Sequence, residues 1–280
     1  MHLHWHPAAL YCRDLEAVLG CPAQANAYFT PASSQGFGVH HDTHDVLVLQ
    51  VAGAKRWRIY EPRLELPLKN QRWSDAFGDP GEPIDDVTLE AGDALYLPRG
   101  WPHEAAAADA ASLHITVGLH PATRMDALRA ALSECADDLE FRRNLDEDGE
   151  LPAELLERLA ARLRPADVAR RARRRLVDSR RPILADQLAQ LRALEHLTPA
   201  TALQRRATVI AELEMTAGDG VTLRFEGKQV RFPPQAAQAL AFAHETEGRF
   251  TAGDLPGRLD TPGRLVLVTR LVREGFLQLA

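Results

Sequence analysis

The sequence predicts an α+β multidomain protein in which an all-β unit, an all-helical segment and a mixed helix-and-hairpin unit follow one another. Three observations carry this expectation. Up to about residue 120, short runs such as Val46 to Val51, Lys55 to Tyr60, Ala94 to Leu97 and Ser112 to Gly118 are separated by turn residues, the pattern of a β-sandwich or barrel. From Pro121 to about residue 200 apolar residues recur at helical spacing. After Thr201 a hairpin, Val221 to Phe232 turning at Glu226-Gly227, stands among helical stretches. The expected units are 1–120, 121–200 and 201–280.

Taken in order, Pro7 to Leu19 suits a short amphipathic helix ended by Gly20. Asn26 to Pro31 alternates as a strand and enters the turn Ser33-Ser34-Gln35-Gly36. Gly53 is expected to join Val46–Val51 and Lys55–Tyr60 as a hairpin, one face carrying Lys55, Trp57 and Ile59. Residues 61–83, rich in proline and charge, read as a long loop. Asp86 to Leu89 and Ala94 to Leu97 flank the turn at Gly92, and Pro98 to Pro102 forms a rigid turn delivering His103 to a strand end. Helices are expected over Met125–Phe141, Pro152–Leu163, Pro165–Leu176 and Ile183–Leu194, with the acidic linker 146–150 between the first two. The last unit reads as a helix from Thr201 to Leu213, the hairpin, and helices Pro234–Glu245 and Pro262–Arg273. Helices plus a short hairpin in so few residues resemble a winged helix.

Composition narrows the function classes. A hydrophobic fraction of 45% with 26% charged residues describes a globular chain rather than a disordered one. The net charge of −6 argues against nonspecific nucleic-acid binding by the whole molecule. No apolar run approaches the roughly 20 residues that span a bilayer, so no membrane partner is expected. The start lacks a basic and apolar leader, and Cys12, Cys21 and Cys135 show no CxxC spacing. Reduced thiols and a cytoplasmic location follow as expectations.

The chemistry concentrates in Gly36 to Gln50. Read as a strand, the stretch places His40 and Asp42 on one face and His41 on the other. With His103 they compose HxD…H, the 2-His-1-carboxylate triad that holds Fe(II) on one octahedral face and leaves three positions for a bidentate 2-oxoacid and O2. Lys55, facing inward on the next strand, supplies the cation that such a cosubstrate needs for its distal carboxylate. The plainer reading, histidines hydrogen-bonded at strand ends, explains each residue singly but not the four together.

At this point the residues resemble a family. Asn26-Ala27-Tyr28, Thr30-Pro31, Ser34-Gln35-Gly36, His40-His41-Asp42, Asp45-Val46, Leu49-Gln50, Gly53, Lys55, Trp57, Tyr60, Gly92-Asp93, Tyr96, Pro98-Arg99-Gly100, His103 and Ser112 to Thr116 are similar to the JmjC-domain ribosomal oxygenases. These are Fe(II)/2-oxoglutarate enzymes of the cupin superfamily that hydroxylate side chains of ribosomal proteins. The resemblance implies a double-stranded β-helix (jelly roll), followed by a helical dimerisation segment and a C-terminal winged-helix-like domain. It implies a protein hydroxylase acting on His or Arg of a ribosomal protein, a homodimer, and Fe(II), 2-oxoglutarate and O2 as reactants. It also implies His40, Asp42 and His103 as iron ligands, Lys55 as the anchor of the 2-oxoglutarate C5 carboxylate, and Asn26, Tyr28 and Thr116 as residues lining the site. The family usually carries a longer N-terminal portion completing one sheet. Only 25 residues precede Asn26 here, so the barrel is expected to be trimmed or to start upstream.

Alternatives remain open at this stage: a cupin enzyme independent of 2-oxoglutarate, a 2-oxoglutarate oxygenase of small molecules or peptides, and an inactive binding scaffold. Continued as a strand, the stretch puts His44 roughly 13 Å from His40 at 3.3 Å per residue, outside the metal site. His114 shares a face with Ser112 and Thr116, in the pocket or the core. His2, His4 and His6 sit on a terminus, a poor place for a defined metal site. Arg170, Arg171, Arg173, Arg174, Arg175, Arg180 and Arg181 form the basic cluster, with the acidic run from Glu134 to Glu157 as an available partner. Gln235 to Glu247 lacks the basic residues of a DNA-reading helix, so a protein contact is expected of the last unit and direct nucleic-acid binding is not.

Overall fold

The computed structural model describes residues 1–145, 149–184, 186–216 and 220–280, so part of the acidic linker (146–148) lies outside the described residues. Two compact units divide the chain, Met1–Ala122 and Thr123–Ala280.

In the first unit, helix α1 (His6–Leu19) starts with a proline in its first turn and ends at Gly20, whose left-handed backbone returns its N–H to the Glu16 carbonyl. Strands β1 (Ala23–Thr30), β2 (Asp45–Ala52), β5 (Ala94–Leu97) and β7 (Ser112–Leu119) form one antiparallel sheet in the order β1-β7-β2-β5. Strands β3 (Lys55–Ile59), β4 (Asp85–Leu89) and β6 (His103–Ala107) form a second in the order β4-β3-β6. The four-stranded sheet is two-faced. Ala23, Ala25, Val117 and Leu119 turn outward and are sealed by Ala8 and Cys12 of α1. Val46 and Val48 turn inward and pack against Trp57, Ile59 and Ala105 of the second sheet. The result is a jelly roll whose two sheets share an interior.

Two expectations about this unit need correction. β2 and β3 are not a hairpin: β2 pairs with β7 and β5, whereas β3 pairs with β4 and β6. A register shift between Gln50 and Ala52 ends the pairing, and Gly53, at φ 64°, lies so close to the main chain of Ala111 that a Cβ would sit 2.2 Å from its carbonyl oxygen. The chain therefore crosses from one sheet to the other, which two-residue periodicity cannot reveal. The first half of the opening stretch is also not a regular strand. His40 makes an isolated bridge to His103, and the chain bends at Thr43 and His44 before β2 begins.

In the second unit, α2 (Arg124–Glu134) begins with a Thr123–Asp126 capping box and gives way to short 3-10 turns by Arg142. α3 (Ala153–Arg162) and α4 (Pro165–Ser179) follow the predicted spacing, and α5 starts only at Gln187 (Gln187–Ala193). The helix expected from Thr201 to Leu213 is instead β8 (Ala202–Arg205) and β9 (Ala211–Thr216). Leu203 and Ala211 suit either period, but strand pairing with distant segments decides: β8 lies between β12 (Phe250–Thr251) and β13 (Leu277–Leu279), and β9 pairs with β10 (Gly220–Phe225). β10 turns into β11 (Lys228–Phe232) at Glu226 (φ 48°) and Gly227 (φ 73°), the backbone a two-residue hairpin demands. Phe225, Leu240 of α6 (Ala237–Glu245), Leu271 of α7 (Thr261–Glu274) and Phe276 centre the core of this unit.

Glu16 ties α1 to the four-stranded sheet: its buried carboxylate accepts from Arg13 at 2.7 Å and from the Ala23 N–H at 2.9 Å. Glu16→Ala leaves the Arg13 cation buried, with an expected loss of about 3 kcal/mol in urea unfolding. An unchanged midpoint would show that the pair does not hold the helix in place.

Candidate metal centre

Residues 33–40 run along β6 as an irregular extra strand. The Gly36 N–H donates to Ala105 at 3.0 Å and the Ala107 N–H to Ser34 at 2.9 Å. At the inner end, the His40 and His103 main chains exchange hydrogen bonds of 3.1 and 2.8 Å. Asp42 is held two residues on, its carbonyl accepting the Gly100 N–H at 2.9 Å. Gly100 is required there: at φ 89° a Cβ would sit 2.6 Å from Pro67 Cδ and 2.7 Å from the Leu64 oxygen.

These main-chain bonds bring the ligand atoms of His40, Asp42 and His103 to within 4.8 Å of one another. The imidazoles are also set in tautomer. His40 Nδ1 lies 2.8 Å from the Gly38 carbonyl and His103 Nδ1 lies 3.0 Å from the Trp101 carbonyl. A carbonyl only accepts, so each Nδ1 carries a proton and each Nε2 is the atom left to ligate. Burial, reinforced by His40, lowers the pKa of His103 and keeps it in the neutral form that ligates. Two imidazoles and a carboxylate on one side of a cavity are a donor set that fits a divalent transition metal. His41 turns away as expected, buried edge-on against the stacked rings of Trp73 and Phe77 with Nε2 donating to the Gln71 carbonyl at 3.0 Å.

The triad opens on a cavity of about 730 Å³ lined also by Asn26, Tyr28, Lys55, Thr116 and His114, so the ligand and lining residues named through the resemblance border one space. β1 and β7 deliver them in register, Asn26 opposite Thr116 and Tyr28 opposite His114. Lys55 is buried, its Nζ donating to Thr30 Oγ1 at 2.8 Å, and among the described residues it has no ion-pair partner. Burial lowers its pKa, and an anion beside it would raise it again. Burial and the Lys55 charge push His114 down to about 4, so it is neutral, stacked on Tyr28 at 5.2 Å. Trp57 Nε1 and His114 Nδ1 are buried without a hydrogen-bond partner. A buried cation with no anion and two unsatisfied polar atoms suit a polar, anionic ligand.

Residues 2–127 match the JmjC domain family model. That stretch is similar to a JmjC domain. Over 149 residues it is 42% identical to the bifunctional lysine-specific demethylase and histidyl-hydroxylase NO66 of Dictyostelium discoideum, covering 49% of this chain and 28% of that protein. Over 143 residues it is 40% identical to ribosomal oxygenase 1 of Danio rerio, covering 48% and 26%. The chain thus spans about a quarter of the length of these relatives. Among solved structures, YcfD of Escherichia coli aligns over 99% of this chain and 76% of its own with TM-score 0.58 at 22% identity. YcfD, a ribosomal oxygenase, in complex with cobalt and 2-oxoglutarate gives 0.56 at 22%, covering 98% and 75%. At that identity the likeness is one of fold.

Thr30, His120 and His44 also line this cavity. Thr30 shares the β1 parity of Asn26 and Tyr28, and His120 continues the Ser112-His114-Thr116 parity just past β7; extending either alternation would have found them. His44 is the third. The bend at Thr43 brings it to the cavity wall, stacked on His120 at 4.5 Å, rather than out along a strand, and it stays outside the triad.

Gly100→Ala is expected to push the Asp42 carbonyl off its donor and weaken Mn(II) affinity at least about tenfold, as loss of a supporting contact does. Calorimetric titration against wild type measures it; equal affinities would remove Gly100 from the account of the site.

Proposed function

We propose that this chain is an Fe(II)- and 2-oxoglutarate-dependent oxygenase that hydroxylates a protein side chain, His or Arg of a ribosomal protein. The observation that carries the reading is the sharing of one cavity by a 2-His-1-carboxylate cluster and a buried lysine lacking an anion. His40, Asp42 and His103 hold the metal and Lys55 takes the C5 carboxylate of 2-oxoglutarate, with Thr30 fixing the ammonium. Bound iron supplies the redox chemistry, in which 2-oxoglutarate and O2 become succinate and CO2 while a substrate C–H gains one oxygen. The chain's own contribution is geometric and dielectric. The neutral His103 presents Nε2 without first losing a proton, Trp57 and His114 offer polar atoms within the buried wall, and Asn26, Tyr28 and Thr116 line the side on which substrate and cosubstrate are oriented.

The layout that goes with this reading is a catalytic domain over 1–120, a helical dimerisation segment over 121–200 and a winged-helix-like domain over 201–280. Exposed Met125, Leu128, Leu132, Leu139 and Leu156 support a homodimer through the helical segment. The basic cluster is largely engaged: Arg171 pairs with Glu134, Arg170 with Asp167, Arg173 with Glu212 and Arg174 with Glu214. That counts against direct nucleic-acid binding by this helix, and the lack of Lys and Arg from Gln235 to Glu247 supports a protein-contact role for the last unit. No helix among the described residues is long and apolar enough to cross a membrane. Cytoplasmic ribosomal proteins are the substrates this reading favours.

Asp42→Ala is expected to abolish iron-dependent 2-oxoglutarate turnover, followed as succinate formed; full turnover in that variant would sink the triad. Lys55→Met removes the anchor and should raise the KM for 2-oxoglutarate about a hundredfold, the cost of truncating one member of a buried charge pair. A KM within about twofold of wild type would place the cosubstrate elsewhere.

A further inference from the structure

Gly36 borders the cavity beside Lys55 and Thr30. The segment that carries it is pinned along β6: the Gly36 N–H donates to Ala105 at 3.0 Å, the Ser34 carbonyl accepts from Ala107 at 2.9 Å, and Gln35 Nε2 donates to Glu104 at 2.8 Å. It therefore has little freedom to draw back. A Cβ on Gly36 would stand 3.4 Å from Lys55 Nζ and 3.3 Å from the Ala105 oxygen. Those contacts are tight without being clashes, and the φ of Gly36 lies outside the left-handed region, so the backbone would accept any L residue. Neither turn geometry nor close packing demands glycine here. What a side chain at this position would do is reach the ammonium.

We propose that Gly36 is the specificity-determining gate of the anion site: its missing side chain keeps the Lys55 ammonium open to the distal carboxylate of a dicarboxylate cosubstrate. The inference rests on the oxygenase reading above, which puts the C5 carboxylate at Lys55. An ammonium carries three N–H groups, and Thr30 Oγ1 takes one of them at 2.8 Å. Among the described residues no other group accepts from Lys55, although the residue is buried. A carboxylate grown from position 36 would have its oxygens within hydrogen-bond reach of that cation. It would supply the missing counter-ion, relieve the uncompensated charge and repel an incoming dianion. Stability and cosubstrate affinity thus move in opposite directions at this one position.

The test compares the full chain as wild type, as Gly36→Asp and as Gly36→Asn, which adds the same bulk without the charge. Calorimetric titration of 2-oxoglutarate into manganese-loaded protein measures affinity, electron paramagnetic resonance measures bound manganese, and thermal unfolding without metal or cosubstrate measures stability. Gly36→Asp is expected to keep its manganese and to bind 2-oxoglutarate about a hundredfold more weakly than wild type, the scale set by loss of a buried charge partner. Without ligands it should melt about 3 °C above Gly36→Asn, because only the aspartate neutralises the buried cation. An affinity within about twofold of wild type, melting at or below that of Gly36→Asn, or loss of manganese from Gly36→Asp overturns the gate. Wild type that binds manganese but no 2-oxoglutarate overturns the cosubstrate reading and the gate with it, an outcome that the wild-type titration separates from failure of the gate alone.

Discussion

The reciprocal main-chain hydrogen bonds between His40 and His103 are the constraint on which the rest depends. They join two segments that are 63 residues apart (103 minus 40) and belong to different parts of the jelly roll, one an irregular crossing segment and one the start of β6. Each bond adds only about 1 kcal/mol, but each is buried or nearly so, and leaving it unmade costs more than making it contributes. The third ligand is fixed in the same manner through Gly100, which the 61–83 loop crowds at Leu64 and Pro67. Anchored from the other side by Trp73 and Phe77 around His41, that long loop braces the ligand segment from behind. The side chains that bind are thus positioned by backbone, and their tautomers by further carbonyls, so little is left to rotamer freedom.

The four-stranded sheet divides stability from chemistry between its two faces. Its outer face, sealed by α1, and the apolar end of its inner face supply the burial that holds the unit together. The remaining inner face is polar, and its groups and those facing it from β3 are only partly satisfied: Gln50 donates to Ser112 at 2.8 Å and to the Ala52 and Gly53 carbonyls, whereas on β3 Lys55 has no anion among the described residues and Trp57 Nε1 no partner. A wall of that kind costs folding free energy and gains it back when a polar ligand binds. The stability of this unit and its occupancy are therefore coupled.

How much could be read beforehand follows from the range of each interaction. HxD, the inward parity of Lys55, Trp57 and Ile59, the Gly20 helix stop and the Glu226-Gly227 turn are local, and each is in the structure where the sequence puts it. Asn26, Tyr28 and Thr116 were placed through resemblance, and the β1–β7 register now gives them a physical reason. What failed was long-range. The β2–β3 hairpin was wrong because the partner of a strand is chosen by distant chain, and the helix at Thr201 was wrong because β8 and β9 pair with strands after Gly220. His44 lies outside the triad as expected, although the strand assumed to run through it bends and puts the imidazole against Gly118.

The central claim is that three residues from a crossing segment and a strand end make one chelating site, completed by Lys55 for an anionic cosubstrate. Anaerobic titration of Fe(II) and 2-oxoglutarate into the purified chain, followed by visible absorption, tests it most directly. The account predicts a charge-transfer band that needs both reagents, saturates at one iron per chain and disappears in His103→Ala. Absence of the band, or its persistence in that variant, would contradict it.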